Sequence, residues 1–260
     1  MRGWAWTAVV SLFLGGALGA QDDAAKEEAK KLDEQAKARL AEFKKEYRTA
    51  KTDQERADKI AGLSALGSPK HPRILDELKT YLRNPVPEIA IAAAEQVAKY
   101  EKNKDAADAL MSAASARREK DVIVKCVRYV GDVGYRGVTS KVVGLFRHKD
   151  VDVAREAVDT CAKLKAKDSV DPLLALWREL ELIKDDKDPN GGIGGGLGGG
   201  LGGGGVAGTN SIGDEQRKRK ETLTPAVEDA LGKISGETFK NLKEAQDWWR
   251  RAKSTFKDPE

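Results

Sequence analysis

The chain has little with which to do chemistry. It has 260 residues but only two cysteines, Cys126 and Cys161, so no disulfide framework holds it together. Its two histidines, His71 and His148, fall at an expected helix start and helix end, where histidine commonly caps or meets solvent. Neither stands in a metal-ligand spacing or beside a nucleophile motif. Ser64, Ser112 and Ser169 lack the glycine-framed turn of a hydrolase nucleophile. Carboxylates are plentiful, yet no pair stands out from a solvated charged face. The expectation is a non-enzymatic protein with no cofactor and no metal ligands.

An excess of charge of one sign is also missing. The 46 basic and 42 acidic side chains leave a net charge of +4, with no clustered basic stripe of the kind nucleic acid demands. Long apolar runs are absent except at the start, where uncharged residues 4–18 follow Met1-Arg2 and end in the small residues Ala17-Leu-Gly-Ala20 before Asp22-Asp23. That pattern reads as an export signal cleaved after Gly19 or Ala20. An uncleaved anchor is the alternative, and the only membrane contact expected; the run is at or below the length that spans a bilayer. No cysteine stands there to take a lipid. Export makes the protein periplasmic or secreted. In that oxidising setting Cys126 and Cys161 either pair or stay as buried thiols, and their place on apolar stripes favours the thiols.

What the sequence does have is a repeat. Ile89-Ala-Ile-Ala-Ala-Ala-Glu-Gln-Val97, Val122-Ile-Val-Lys-Cys-Val-Arg-Tyr-Val130 and Val153-Ala-Arg-Glu-Ala-Val-Asp-Thr-Cys161 follow one another at 33 and 31 residues. This is solenoid spacing, in which each unit must stack on its neighbours to bury its apolar face. First helices are expected at 71–83, 104–119, 139–147 and 170–184, with partners at 54–66, 88–100, 122–133 and 151–165. Pro72, Pro85, Pro87, Pro172, Gly67, Gly134 and Gly137 punctuate the joins. With Glu55, Ile89, Val122 and Val153 aligned as position one, the fifth positions are Lys59, Ala93, Cys126 and Ala157. The ninth are Leu63, Val97, Val130 and Cys161, and the twelfth are Leu66, Tyr100, Val133 and Leu164. Small residues at position five let helices approach, while nine and twelve fill the core. Glu55 and Lys59 break the pattern, as a terminal unit does. Ahead of the repeats, Ala29, Leu32, Ala36, Leu40, Phe43 and Tyr47 form one narrow helical stripe behind a cap at Asp22 or Asp23. It suits a long covering helix, or a short coiled-coil seam.

The pattern of Pro or Asp, then Val or Ile, then Ala four residues on, then Val or Leu, resembles the HEAT-repeat superfamily, including its bacterial short type. The resemblance spans residues 54–184. It implies an all-α protein, a right-handed α-solenoid whose second helices line a concave side that holds protein partners. Ile234-Ser-Gly-Glu-Thr-Phe239 followed by Trp248-Trp249 is similar to a short tail on secreted bacterial HEAT proteins, although Ala245 stands where that tail often has a further tryptophan. Some HEAT-like proteins resemble chromophore lyases, which makes an enzyme or enzyme subunit the alternative reading.

Between repeats and tail, glycine from 191 to 208 is interrupted only by Ile193, Leu197, Leu201, Val206 and Ala207. A flexible linker is expected there, or a stacked glycine-rich structure. Asp186, Asp188, Asn190, Gly191 and Ile193 match the opening of an EF-hand-like calcium loop, but Leu197 replaces its closing carboxylate. A calcium-responsive envelope protein is thus a third reading. After Arg217-Lys-Arg-Lys220, Thr224-Pro225 marks a helix start and Asn241 with Glu244 a capping box. The expected layout is 1–20 signal peptide, 21–50 capping helix, 51–186 repeat domain of about four pairs, 187–214 linker and 215–260 helical tail.

Binding is expected on the second-helix faces opposite the core stripe. Glu95, Gln96 and Lys99, then Lys125, Arg128, Tyr129 and Asp132, then Glu156, Asp159, Thr160 and Lys163 occupy those positions. Arg128 and Tyr129 are of the types that dominate interface energetics. Their mixed signs favour a protein or peptide over a polyanion. In the tail, Trp248 is expected to be exposed beside Arg250 and Arg251, offering a second contact, while Trp249 packs inward. The partner and the oligomeric state are left open by the sequence.

Overall fold

The structure, a computed structural model, describes residues 15–63, 70–183 and 209–257. Every regular element among the described residues is helical. In chain order these are α1 (Gly15–Thr49), α2 (Asp53–Leu63), α3 (Pro72–Leu82), α4 (Pro87–Ala98), α5 (Lys104–Ala116), α6 (Lys120–Val133), α7 (Thr139–Val143), α8 (Val151–Leu164), α9 (Val170–Glu181), α10 (Thr209–Ser235) and α11 (Leu242–Ala252). Among the described residues no helix is long and apolar enough to cross a membrane.

Local chemistry sets most boundaries. Pro72 and Pro87 open α3 and α4 at positions whose N–H has no helical partner. Asn103 caps α5 by accepting from the Ala106 N–H at 2.9 Å, and Asp150 caps α8 by accepting from that of Asp152 at 2.9 Å. Gly134, at φ 71°, turns the chain out of α6 through the left-handed region that glycine enters without strain. The helix expected at 139–147 is shorter than anticipated, with α7 tightening into a 3-10 segment at Gly144–Arg147.

Helices pack in a regular succession. α2 lies on α4, α4 on α6, α6 on α8 and α8 on α10, while α3 pairs with α4, α5 with α6, α7 with α8 and α9 with α10. The apolar stripes account for this order. Ile89, Ala93 and Val97 of α4, Val122, Cys126 and Val130 of α6, and Val153, Ala157 and Cys161 of α8 are all 1% exposed or less. Both cysteines are free and buried, and burial pushes each thiol up to about 12. Polar bonds repeat with the same period. The Thr160 hydroxyl donates to the Val127 carbonyl 33 residues away, Lys163 pairs with Asp132 31 away, Lys141 with Asp108 33 away and Lys120 with Asp152 32 away.

Two boundaries differ from expectation at the ends. Asp22 and Asp23 lie inside α1, which is continuous from Gly15, so neither acts as its N-cap. Covering of the stack begins at Ala36 and Phe43; Ala29 is exposed and Leu32 is 39% exposed. Phe43, Tyr47 and Tyr81 then form a ring cluster with centroids 4.9 to 5.7 Å apart.

At the other end Thr224-Pro225 does not start a helix. Pro225 sits within α10, on an exposed position. Leu223, Val227, Leu231 and Ile234 of α10 are buried, and they repeat the one, five, nine, twelve spacing of α6 and α8. α10 packs on α8 and α9, and α11 on α9, so the helices expected as a separate tail are in direct contact with the repeat helices. The capping box of α11 is offset by one residue: Asn241 accepts from the Glu244 N–H at 3.0 Å, while Glu244 accepts from the Lys240 N–H at 2.9 Å.

Candidate functional site

Side chains on the second helices α4, α6 and α8 divide by their angle around the helix. Position eight of α4 and positions four and eight of α8 turn inward, whereas the same positions of α6, Lys125 and Tyr129, are only half-buried, and this corrects part of the expected binding set. Gln96, Glu156 and Thr160 are 1%, 7% and 0% exposed. Gln96 accepts from Lys99 Nζ at 2.6 Å, and Thr160 is spent on the α6 backbone.

Arg128 reaches across from α6 to α8. Its Nε lies 3.2 Å from both carboxylate oxygens of Glu156, and its Nη2 lies 2.7 Å from Oε2. Hydrogen bonding to Glu156 raises Arg128 above its ordinary value, and the paired geometry makes this the strongest polar link on the face. Asp132 and Lys163, both expected to bind partners, instead pair with each other at 2.9 Å. Asp159 is drawn into the α8 to α10 seam. Burial raises its carboxyl, reinforced by the Glu156 carboxylate, while Arg155 at 3.8 Å and Lys233 of α10 oppose the shift.

A smaller group stays available. Glu95 is exposed on α4, Lys125 and Tyr129 are half-buried on α6, and Lys99 is exposed at the end of α4. Burial first, then the carboxylates of Glu95 and Asp132, raise the Tyr129 hydroxyl, so it stays a neutral donor at any physiological pH. Glu95, Lys125 and Tyr129 therefore offer one anion, one cation and an aromatic ring on adjoining helices.

Trp248 is not exposed. It is 8% exposed, stacked on Trp249 at 5.5 Å between ring centroids and set against Phe239 and Phe256. The helix hairpin is too small to bury Trp249 alone, so a four-ring cluster absorbs both tryptophans. Trp249 Nε1 donates to Asp171 Oδ1 at 2.8 Å, and Lys253 closes on the same carboxylate at 3.0 Å. Burial would raise the Asp171 carboxyl, but these two hydrogen bonds overcome it and hold the group below its usual range.

No family model matches the chain, and no curated protein does either.

The rest of the molecule offers grooves more than enclosed chambers. One of about 930 Å³ lies between α3 and α5, with Leu82, Ala109 and Ala113 in its lining and Lys79, Asp108 and Arg117 among its polar groups. Among the described residues no group of three or more His, Cys, Asp and Glu side chains is placed to hold a metal ion. The calcium-loop pattern at 186–197 lies outside the described residues, as does Ser64. His71 caps α3 and sits 3.7 Å from Asp33, whose carboxyl is lowered to about 2 by hydrogen bonds from Lys37 and Arg73. His148 accepts from the Asp150 N–H at 3.1 Å.

Sequence reasoning missed the basic run 217–220 as a structural device. Arg219 donates to the carbonyls of Phe146 and His148, and Lys220 donates to that of Ile183 at 2.9 Å. These carbonyls close the 3-10 segment before α8 and the end of α9, where helix dipoles favour cations. The signal was legible in principle: Leu223, Val227, Leu231 and Ile234 carry the repeat spacing, beginning just after that basic run.

Proposed function

We propose that the protein is an α-solenoid of the HEAT type, exported to the bacterial cell envelope, which acts as a non-enzymatic scaffold that binds a protein or peptide along its second helices. Stacking order supports the solenoid. Each second helix rests on the one a repeat away, and the polar links between them recur at the repeat's own spacing. Five pairs then make the platform, α1 with α2 through α9 with α10, and α11 closes it. On this reading the glycine-rich run joins the two helices of the last pair instead of tethering a free tail.

Binding centres on Tyr129, Lys125 and Glu95. Here an aromatic side chain and both signs of charge are left over on the second-helix face after the cross-helix links among the described residues are made. An aromatic anchor with polar neighbours is the composition of an interface centre. The mixed charge left on this face favours a protein or peptide partner over a polyanion.

The test is chemical crosslinking in native envelope from Lys125 and from a photoreactive residue placed at Tyr129, followed by affinity capture with the parent and with a Lys125→Glu, Tyr129→Ser variant. The expected result is one crosslinked species whose capture falls at least tenfold in the variant, measured at a temperature where circular dichroism shows both proteins fully folded. Equal capture by parent and variant overturns the assignment of this face.

A further inference from the structure

A second surface lies on the opposite row of helices, where α11 only partly covers α9. The groove between them has a volume of about 690 Å³. Leu174 and the edge of Trp249 form its floor, at 7% and 5% exposure, and Leu182 stands at its rim 75% exposed. Leu182 and Leu32 are the two large apolar side chains left exposed among the described residues.

Charge around this groove is unbalanced once its internal pairs are counted. Asp171 is held by Lys253 and Trp249, and Glu179 is turned away to Arg147. Arg178 is exposed and has no ion-pair partner among the described residues. Arg250 is 78% exposed, with only a loose 3.3 Å contact to Asp247 three residues before it. Two guanidinium groups, one on each wall, thus flank an apolar floor whose acids are already used.

We propose that the α9 to α11 groove docks an acidic peptide segment of a partner protein, with an aliphatic side chain against Leu174 and Leu182 and carboxylates on Arg178 and Arg250. Guanidinium forks suit carboxylates because both N–H groups can be engaged at once. A volume of this size accommodates a few side chains, which matches a short linear segment more closely than a folded domain. The surface is separate from the Tyr129 face and does not depend on it.

The groove carries its own reporter. The Trp249 indole N–H donates to Asp171 at its edge, so its proton–nitrogen resonance should move when a ligand enters. Full-length labelled protein is titrated with the amidated, acetylated peptide Asp-Glu-Leu-Leu-Asp-Glu, with a charge-reversed Lys-Arg-Leu-Leu-Lys-Arg peptide, and with Asp-Glu-Gly-Gly-Asp-Glu. Saturable movement is expected with the first alone, weakened at least tenfold by Arg178→Glu and by Leu182→Asp. Both positions are exposed, so the variants should keep the parent's melting temperature, which is measured in parallel. No movement at millimolar peptide, equal movement with either control peptide, or binding unchanged in Arg178→Glu would each overturn the proposal. Movement produced by anionic lipid vesicles and not by the acidic peptide would overturn it too.

Discussion

The interior second helices and the last one carry the same stripe but live in different surroundings. In α4, α6 and α8 position six is buried, as Ala94, Val127 and Val158, because another second helix lies on that side. In α10 the same position is Glu228, and it is exposed. The interior is fastened by side chains that meet across the seam, such as Arg128 with Glu156. The end is fastened by cations set on backbone carbonyls, through Arg219 and Lys220, and by the Trp249 to Asp171 bond. A repeat can be ended, then, by keeping the buried half of the stripe, charging the other half, and clamping the helix ends it meets. Terminal units in stacked proteins need such a polar outer face.

The sharpest way to break this comparison is to ask whether α10 unfolds with the stack. Leu231 is 1% exposed and Leu173 is 0% exposed, one at the end and one in α9. Leu231→Ala should cost about 3 kcal/mol, the same order as Leu173→Ala, because both leave a cavity in one continuous core. Denaturant unfolding followed by circular dichroism and by tryptophan emission should give a single transition for each. Separate transitions, with Leu231→Ala moving only the first, would make α10 and α11 an independent module.

Residues 53–63 and 70–183 were largely legible because their signals are local and repeated. Helix starts at Pro72, Pro87, Asn103 and Asp150 rest on residue chemistry that needs no tertiary context, and the apolar period marks which face is buried. The last pair hid behind two competing signals. The long glycine-rich run displaced Leu223 from the repeat period, and Thr224-Pro225 mimics a helix start although a proline on an exposed face can be carried inside a packed helix. The candidate site was legible in its composition but not in its pairings. Arg128, Asp132 and Lys163 have the exposure pattern of a binding face, yet cross-helix partners depend on how one repeat is rotated over the next, which spacing along a single helix does not encode.

The clamps should differ in strength. Arg219→Ala removes the donor to two carbonyls at once, and a loss of about 1–3 kcal/mol is expected, concentrated at the end. Arg128→Ala leaves Glu156 buried without its cation, but the arginine side chain is 44% exposed and water can replace part of the link, so about 1 kcal/mol is expected. Amide hydrogen exchange separates them. Arg219→Ala should speed exchange in α10 and leave α4 unchanged, whereas Arg128→Ala should affect α6 and α8 together. Uniform acceleration across the molecule in both variants would erase the distinction between seam and end.

The smallest effect carries a sign that tells the two regions apart. In the interior, burial and the Glu156 carboxylate raise Asp159, so the folded state binds a proton more readily than the unfolded chain. Its charge therefore opposes folding once pH rises through the raised folded value, and Asp159→Asn should stabilise the protein at neutral pH, with the gain disappearing below about pH 4, the ordinary aspartate value. At the end, hydrogen bonds from Lys253 and Trp249 outweigh burial and lower Asp171, so its carboxylate supports folding. That support is complete above the ordinary value of about 4 and fades as pH falls through the lower folded value, so Asp171→Asn should destabilise at neutral pH and converge on the parent in acid. Thermal midpoints measured from pH 7 down to pH 3 should show curves of opposite sign that both approach the parent. Two curves of the same sign would mean that seam and end hold their carboxylates by one mechanism, and that the clamped end is no different from the interior it closes.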